Sequence, residues 1–322
     1  MTPMPDDAAP RSLLLHFEDE AQPARALAQA AQLPHALIER HRFPDEELKL
    51  RLPVNAQGLL PDTLVIYRSL DRPNHKLIEL MLAAEQARQL GTRRIVLVAP
   101  YLAYMRQDIA FQPGEVVSQK VVGRFIAGLF DAVITVDPHL HRITTLQEAI
   151  PLTQAIALSG APMLADLIAR HHTDADAAPI LIGPDAESAQ WVRSAAQSRG
   201  LAHGVCTKTR LGDRHVEVTL PAIEVRGRAV VLIDDVASSG HTLAQAATSL
   251  LAAGASSVDA AVTHALFAEG SLALMRQAGI RRVWSTDCIA HESNAISMAP
   301  ILAQALSPLL AVQPGDQNRS RT

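Results

Sequence analysis

The stretch that most constrains the fold of this chain is Val230–Thr242, which reads Val-Val-Leu-Ile-Asp-Asp-Val-Ala-Ser-Ser-Gly-His-Thr. Its first four residues are apolar and run directly into two adjacent carboxylates, Asp234 and Asp235. A short, wholly apolar run of this kind predicts a strand that is buried on both faces of a parallel sheet. The segment 243–253, rich in alanine and leucine, is predicted to be the helix that follows.

The loop between this strand and helix carries Ser238, Ser239, Gly240, His241 and Thr242. Backbone N–H groups in the first turn of a helix have no partner within the helix, and the helix dipole is positive there, so a phosphate binds well at such a place. Two aspartates beside a phosphate site would suit the hydroxyls of a sugar phosphate or Mg²⁺. The alternative on this local pattern is an ordinary strand–loop–helix corner with solvated aspartates.

Charge and composition exclude several classes of protein. The net charge is −4 and aromatic residues make up 3% of the chain, which argues against a nucleic-acid binder that relies on a basic surface or on stacking. The cysteines, Cys206 and Cys288, are too few for a disulfide scaffold or a thiolate zinc site and favour a reducing compartment. The N-terminus lacks an apolar signal core, and the apolar run around 295–312 is interrupted by Pro300, Gln304 and Pro308. We therefore expect a soluble cytoplasmic protein with no nucleic-acid or membrane partner.

Predicted strands alternate with predicted helices along the whole chain, which indicates α/β units with mainly parallel sheets flanked by helices. The pattern restarts after Pro151, so we predict two domains of similar size, 10–152 and 153–312, and a flexible polar tail over 313–322. In the first domain, a polar segment at 41–47 precedes the alternating Leu48, Leu50 and Leu52, which indicate a half-exposed strand.

Arg106, Gln107 and Asp108 lie in a polar loop just beyond the predicted strand 94–99. The arginine and the glutamine supply donors that suit a purine nucleotide or its phosphates. A solvated surface loop is the equally acceptable alternative on these residues alone.

Two further strand ends carry groups that could serve a metal ion. His139 follows the predicted strand 132–136, and a histidine at that position can bind a divalent cation or its waters. Asp185 lies in a turn after the predicted strand 180–182. For His141 and for the pair His171–His172, we favour ordinary surface positions.

Lys208 and Arg210 flank a threonine directly after the predicted strand 201–206. Two cations so placed could clamp a transferring phosphoryl group, although charges on an edge strand are an equally acceptable explanation. The chain contains neither G-x-x-x-x-G-K-[ST] nor G-x-G-x-x-G, which disfavours a P-loop kinase and a classical dinucleotide enzyme.

Together these segments resemble the ribose-phosphate diphosphokinase family, also called phosphoribosyl-pyrophosphate (PRPP) synthetases, over nearly the whole chain from Phe43 to Ile289. The loop at 106–108, with Phe111, Pro113–Glu115, Ser118 and Lys120 after it, is most similar to the archaeal-type branch. The resemblance implies two tandem phosphoribosyltransferase-like domains. It also implies transfer of the diphosphoryl group of ATP to the 1-hydroxyl of ribose 5-phosphate, which gives PRPP and AMP.

The resemblance implies a role for each segment. The ATP-binding residues would be Phe43, Asp45, Glu47, Arg106, Gln107 and Asp108. Mg²⁺ would be held largely through His139, Asp185 and the substrates, and Lys208 and Arg210 would be catalytic. Asp234 and Asp235 would hold the ribose hydroxyls, and Ser238–Thr242 would hold the 5-phosphate. Phe43, Asp45 and Glu47 would reach ATP on a neighbouring subunit, which implies a homo-oligomer, dimer or hexamer, with shared active sites.

The chain departs from the family pattern at three places. Glu46 and His241 stand where relatives usually have glycine, and Ile109 with Ala110 stand where many relatives have basic residues. His241 adds bulk where the backbone should approach phosphate. Two alternatives therefore stay open, a phosphoribosyltransferase that consumes PRPP and a catalytically weak regulatory paralogue of the synthetase.

Overall fold

The computed structural model describes residues 11–173, 178–210 and 216–311, with the main chain alone at 208–210 and 216–218. Over these residues the chain divides into two compact units. The first unit runs to Leu158 and takes in the last helix of the chain, and the second unit is Ser159–Met298.

The first unit is built around a parallel sheet. Its strands are β1 (Ser12–His16), β2 (His35–Leu37), β3 (Glu39–Arg42), β4 (Leu48–Arg51), β5 (Thr63–Tyr67), β6 (Arg94–Val98), β7 (Ala132–Val136) and β8 (Ala155–Leu158). The sheet has the order β2-β1-β5-β6-β7-β8, and every pairing in it is parallel. Strands β5, β6 and β7 are buried along their whole length, as their continuous apolar sequences predict.

Helices flank this sheet, and their apolar faces complete the core. They are α1 (Ala21–Ala30), α2 (Pro73–Gln89), α3 (Ser118–Leu129) and the short α4 (Leu146–Ala149). In α2 the buried positions Leu80, Ala83, Ala84 and Ala87 recur at helical spacing, so one stripe of the helix faces the sheet.

Strands β3 and β4 form a separate antiparallel hairpin, in which Glu39 pairs with Arg51 and Arg42 with Leu48. The polar segment 43–47 is the turn of this hairpin. The half-exposed strand predicted at 48–52 is therefore present, but its partner β3 was not predicted. Strand β3 carries charged residues on both faces and lacks the alternation that indicates a strand.

The second unit repeats the design of the first. Its strands are β9 (Ile180–Gly183), β10 (His203–Val205), β11 (Thr207–Arg210), β12 (Val216–Thr219), β13 (Ala229–Ala237), β14 (Ser257–Ala265), β15 (Ile280–Thr286) and β16 (Asn294–Ile296). Its helices are α5 (Ala161–His171), α6 (Ala189–Arg199), α7 (His241–Ala252) and α8 (Ser271–Gln277). A parallel sheet has the order β10-β9-β13-β14-β15-β16, and β11 with β12 forms an antiparallel hairpin.

The two sheets therefore have the same strand order, and each unit has its hairpin after its second strand. This repeat confirms the predicted fold class of two mainly parallel sheets flanked by helices. The unit boundaries differ from the predicted ranges. Residues 153–158 belong to the first unit because β8 pairs with β7, and α9 (Ala299–Ala311) belongs there because it packs on α1, β7 and β8. The tail predicted at 313–322 lies outside the described residues.

Among the described residues, no helix is both long enough and apolar enough to cross a membrane. The apolar run near the C-terminus is α9, which contains Pro308 and buries Leu302, Leu306 and Leu309. Its apolar residues are thus used in packing within the first unit.

Candidate active site

Asp234 and Asp235 lie near the carboxyl end of β13, the third strand of the second sheet. The strand was predicted to end before them, but it continues to Ala237 because β14 pairs with it as far as Ala265. Asp235 is buried and Asp234 is half-buried, and the backbone N–H of Asp235 donates to Asp234 Oδ1 at 3.0 Å. The apolar residues 230–233 before them are buried, which anchors the two carboxyl groups at this edge of the sheet.

A third carboxyl group belongs to the same place. Asp185 follows β9, the strand that pairs with β13 on one side. Its side chain accepts a hydrogen bond from the Glu187 backbone N–H at 3.2 Å, which fixes its orientation. Burial, together with the charges of Asp235 and Asp185, raises the pKa of Asp234 well above its ordinary range. The carboxyl ends of β9 and β13 thus form an electronegative site that a bound cation would stabilise.

The loop after β13 is hydrogen-bonded to the start of α8 and to the residues just before that helix. The carbonyl oxygen of Ser238 accepts hydrogen bonds from the Ala268 backbone N–H at 3.0 Å and from Ser271 Oγ at 2.9 Å. Gly240 has a φ of 75°, and a Cβ there would lie 3.2 Å from Met275 Cγ. A glycine is therefore required at this position for both conformation and space.

Helix α7 begins directly after this loop, at His241. Its N-cap residue is Gly240, and in this described segment no side chain caps the helix. Ser238, Ser239 and His241 are exposed, and Thr242 is half-buried. Exposed hydroxyls at an uncapped helix N-terminus are what the predicted phosphate site requires.

His241 itself has ordinary helical backbone as the first residue of α7, so the histidine costs no backbone strain there. The positive φ that demands a glycine falls one residue earlier. The predicted obstacle to phosphate binding at His241 is therefore only the bulk of its exposed side chain.

Lys208 and Arg210 lie on β11, opposite Val218 and Val216 of β12. They are thus carried by the hairpin of the second unit, a position that single-strand patterns did not predict. Their side chains lie outside what the structure describes, and their catalytic roles stay predictions.

In the first unit, the loop with Arg106, Gln107 and Asp108 follows β6. Arg106 is exposed, Gln107 Nε2 donates to the Ile109 carbonyl at 3.1 Å, and the Gln119 backbone N–H donates to the Gln107 carbonyl at 3.2 Å. These bonds attach the loop to the start of α3 and leave the Arg106 guanidinium facing solvent.

Asp108 forms an ion pair with Arg142, a residue that was not predicted to belong to the site. Arg142 Nη1 lies 2.5 Å from Asp108 Oδ1, and the Asp108 side chain is 3% exposed. The same guanidinium lies 6.0 Å from the ring centroid of Phe111, a side chain that is 73% exposed. Arg142 comes from the loop after β7, and β7 is the neighbour of β6 in the sheet, which is why the two loops meet.

His139 and His141 lie together after β7. Their Nε2 atoms are 2.5 Å apart, and their rings are nearly perpendicular with centroids at 3.9 Å. His141 is exposed, as predicted for a surface position, and it contacts His139 there. Asp137, just before them, is buried with a φ of 36°, a strained conformation of the kind that clusters at functional sites.

Phe43, Asp45 and Glu47 lie in the turn of the first hairpin. Asp45 Oδ1 accepts from the Glu47 backbone N–H at 3.2 Å, and the ring of Phe43 meets His41 edge-on with centroids at 4.7 Å. Glu46 has a φ of 70°, which is the left-handed conformation that the glycine of the family pattern would adopt freely. The turn is exposed, as a segment that reaches a neighbouring subunit would be.

Comparisons with known proteins agree with this architecture. Residues 13–129 match the N-terminal domain of ribose phosphate pyrophosphokinase, and residues 159–308 match the phosphoribosyl transferase domain. The ribose-phosphate pyrophosphokinase of Methanopyrus kandleri is 32% identical over 299 residues, covering 92% of this chain and 99% of that protein. Ribose-phosphate pyrophosphokinase 2 of Archaeoglobus fulgidus is 31% identical over 281 residues, covering 87% and 95%.

Among solved structures, phosphoribosylpyrophosphate synthetase from Mycobacterium smegmatis superposes with a TM-score of 0.77 over 92% of this chain and 98% of that one. At 20% identity this match establishes the fold. The two relatives above are archaeal, in agreement with the archaeal-type loop after β6.

Proposed function

The chain belongs to the ribose-phosphate pyrophosphokinase family, and on that premise we propose how its own residues carry the transfer of a diphosphoryl group from ATP to the 1-hydroxyl of ribose 5-phosphate. The products are PRPP and AMP. The observation that carries the proposal is the juxtaposition, on β13 and α7, of an acidic pair and an uncapped helix N-terminus.

Ribose 5-phosphate occupies the carboxyl end of β13 in this proposal. Ser238–Thr242 bind the 5-phosphate through hydroxyls and the first-turn N–H groups of α7. Asp234 and Asp235 accept hydrogen bonds from the ribose hydroxyls. The buried strand before them holds both groups rigidly, and rigid positioning lowers the barrier of a bimolecular transfer.

ATP binding is assigned to the first unit. Arg106 and Gln107 donate to the nucleotide, and Asp108 orients the loop through its ion pair with Arg142. Arg142 supplies a cation beside the segment where Ile109 and Ala110 replace the basic residues of many relatives. That guanidinium is half-exposed, so it can also face a phosphate.

Mg²⁺ fits the groups that are present. Asp234, Asp235 and Asp185 provide oxygen ligands, which Mg²⁺ prefers, and the raised pKa of Asp234 reflects its burial together with the negative charges of Asp235 and Asp185. His139 and its neighbour His141 are the candidate ligands in the first unit. The ion would supply charge neutralisation on the transferring phosphates.

In the reaction itself the ribose 1-oxygen forms a bond to the β-phosphorus of ATP, and the bond between that phosphorus and the α,β-bridging oxygen breaks. The bridging oxygen leaves with AMP, and the proton of the 1-hydroxyl is released. Transfer of this kind depends on in-line positioning and on stabilisation of developing charge. Lys208 and Arg210 are assigned to that stabilisation. The hairpin that carries them begins at Thr207, directly after Cys206, whose backbone N–H donates to the Gly183 carbonyl at 2.8 Å close to Asp185 in the chain.

One assay tests the proposed function. AMP formation is followed with Mg²⁺, ATP and ribose 5-phosphate, and a phosphoribosyltransferase that consumes PRPP would form none. Lys208→Ala is expected to lower kcat by about 10²-fold or more. Arg193→Ala, which removes an exposed cation of α6, serves as the matched control and is expected to keep full activity. No AMP from the parent protein sinks the proposal, and full activity of Lys208→Ala sinks the role of that lysine.

We further propose that the protein is a cytoplasmic homo-oligomer whose sites are shared between subunits. The exposed turn with Phe43, Asp45 and Glu47 supports this, because it projects from the first hairpin as a separate element. Mixing an inactive Asp45→Ala variant with an inactive Lys208→Ala variant is expected to restore part of the activity through mixed oligomers. If the mixture stays as inactive as its components, the turn does not act across subunits.

A further inference from the structure

A cationic cavity of about 280 Å³ lies in the second unit, between helix α8 and strand β15. Its lining includes Arg276 of α8 and the consecutive Arg281 and Arg282 of β15, with Glu292 as an opposing carboxylate. None of these residues belongs to the active site described above.

An irregularity in β15 explains how two consecutive arginines line one cavity. Val258 of β14 pairs with Ile280 and Ala260 pairs with Val283, so two residues of β15 stand opposite the single residue Asp259. Consecutive side chains of a regular strand point to opposite faces, and a bulge cancels that alternation locally. Strand β16 pairs with β15 only at Ser285 and Thr286, so in the described chain the edge at 281–283 is not covered by a strand.

Within the described residues, the positive charge at the cavity is compensated only in part by two carboxylates, those of Asp259 and Glu292. Asp259 is fully buried, and its Oδ2 lies 3.3 Å from Arg281 Nη2, but the Arg281 side chain is still 52% exposed. The Arg282 guanidinium lies 5.9 Å from the ring centroid of the buried Trp284, and both Arg276 and Arg282 are exposed. Three guanidinium groups therefore face this cavity with Glu292 opposing them.

Helix α8 separates the cavity from the loop after β13. Ser271 and Met275, on one face of the helix, contact Ser238 and approach Gly240. Leu272 and Arg276, one residue further along in each case, line the cavity on the other side. The cavity is thus distinct from the place assigned to the 5-phosphate.

We propose that this cavity is a binding site for a small phosphate-type anion, separate from the active site and independent of the proposed function. Guanidinium groups match phosphate oxygens with paired N–H donors, and an arginine cluster is a common phosphate site in proteins. The volume of about 280 Å³ accommodates a phosphate or a small phosphorylated metabolite.

Trp284 provides a local reporter for the test. The chain has two tryptophans, so Trp191→Phe leaves Trp284 as the single emitter beside Arg282. Titration of this variant with inorganic phosphate is expected to change the emission saturably, whereas sodium chloride at the same ionic strength is not. Arg276→Gln in the same background is expected to weaken binding by about tenfold or more. Arg193→Gln, on α6 and outside the cavity, is expected to leave it unchanged.

Ser239→Ala, in the same Trp191→Phe background, separates this cavity from the loop after β13. The phosphate signal is expected to persist in this variant, and the kinetic constants of Arg276→Gln for both substrates are expected to equal those of the parent. The proposal is overturned if phosphate produces no saturable change, if Ser239→Ala abolishes the change, or if Arg276→Gln binds phosphate as tightly as Arg193→Gln.

Discussion

The two units have the same strand order, yet the ends of their third strands are used in opposite ways. In the first unit β5 is followed directly by Arg68, and in the second unit β13 carries Asp234 and Asp235. Arg68 is fully buried, whereas Asp234 is half-buried and leads into an exposed loop. The same position in the same topology is thus closed in one unit and open in the other.

The closed end of β5 is an ion-pair network. Arg68 pairs with the buried Glu79, and its Nη1 lies 3.0 Å from carboxylate oxygens of Asp19 and Glu20. Lys76 Nζ lies 3.0 Å from Glu20 Oε1 and donates to the carbonyl of Ser69 at 2.8 Å. Burial raises the pKa of Glu20 despite these cations. Each of these charged side chains forms an ion pair with a side chain of opposite charge in the same unit. The network is therefore structural and does not require a ligand for its charges.

The open end of β13 carries neighbouring carboxylates and leads to the N-terminus of α7, which no side chain caps in the described segment. The charges that raise the pKa of Asp234 are those of Asp235 and Asp185, which add to the effect of burial. Topology thus places a charged group at this strand end in both units, while the sign and pairing of the neighbouring charges decide whether it stabilises the fold or binds a ligand.

The largest expected effect is on the closed end. Arg68→Met should lower the free energy of unfolding by about 3–5 kcal/mol, because it leaves buried carboxylates without their cation. Urea denaturation followed by circular dichroism measures this. Arg68→Met combined with Glu79→Met should recover part of the loss, since a buried charge is then removed with its partner. A single variant as stable as the parent would show that the network contributes nothing.

At the open end the effect should fall on activity. Asp235→Asn is expected to lower kcat by roughly 10²–10³-fold, the size found when one preorganised polar group of an active site is lost. Its unfolding midpoint in urea should stay near that of the parent. Asp166→Asn, which removes a surface acid paired with Arg199, is the matched control and should keep full activity. If Asp235→Asn loses as much stability as Arg68→Met, the acids of β13 are structural, and the proposed difference between the two strand ends is wrong.

The raised pKa of Asp234 predicts a dependence of stability on pH. The folded state binds this proton more tightly than the unfolded chain, so the stability contributed by Asp234 is complete below its unfolded pKa and is lost as the pH rises through the folded pKa. Without Mg²⁺, Asp234→Asn should therefore be more stable than the parent above the folded pKa, by about 1.4 kcal/mol for each unit of pKa difference. Urea titrations at a series of pH values should show that the difference in unfolding free energy between Asp234→Asn and the parent shrinks as the pH falls. A gap that is constant with pH contradicts the electrostatic origin.

The smallest expected effect concerns the hairpin turn of the first unit. Glu46→Gly should stabilise the protein by up to about 1 kcal/mol, because it relieves a left-handed backbone but makes the unfolded chain more flexible. Lys49→Gly, in the adjacent strand, should be destabilising by about 0.5–1 kcal/mol. Thermal unfolding of the two variants measures the difference, and equal effects would mean that the turn is not strained.

Buried segments of the fold were predictable, and exposed ones were not. Strands β5 and β7 have the bounds that their apolar sequences predict, since burial on both faces demands a continuous apolar run. Of the four hairpin strands only β4 was predicted, because strands this short do not carry a clear hydrophobic pattern. Strand β15 was missed because Arg281 and Arg282 interrupt its pattern at the bulge.

The sequence by itself determined the family, the α/β class and the local phosphate motif at 230–242, because each depends on residues that are close together in the chain. Only the tertiary structure brought Arg142 onto Asp108, and Asp185 next to the acids of β13. The physical reason is that these contacts follow from which strands are neighbours in a sheet. Strand order results from pairing between distant segments, and a local pattern of side chains does not contain it.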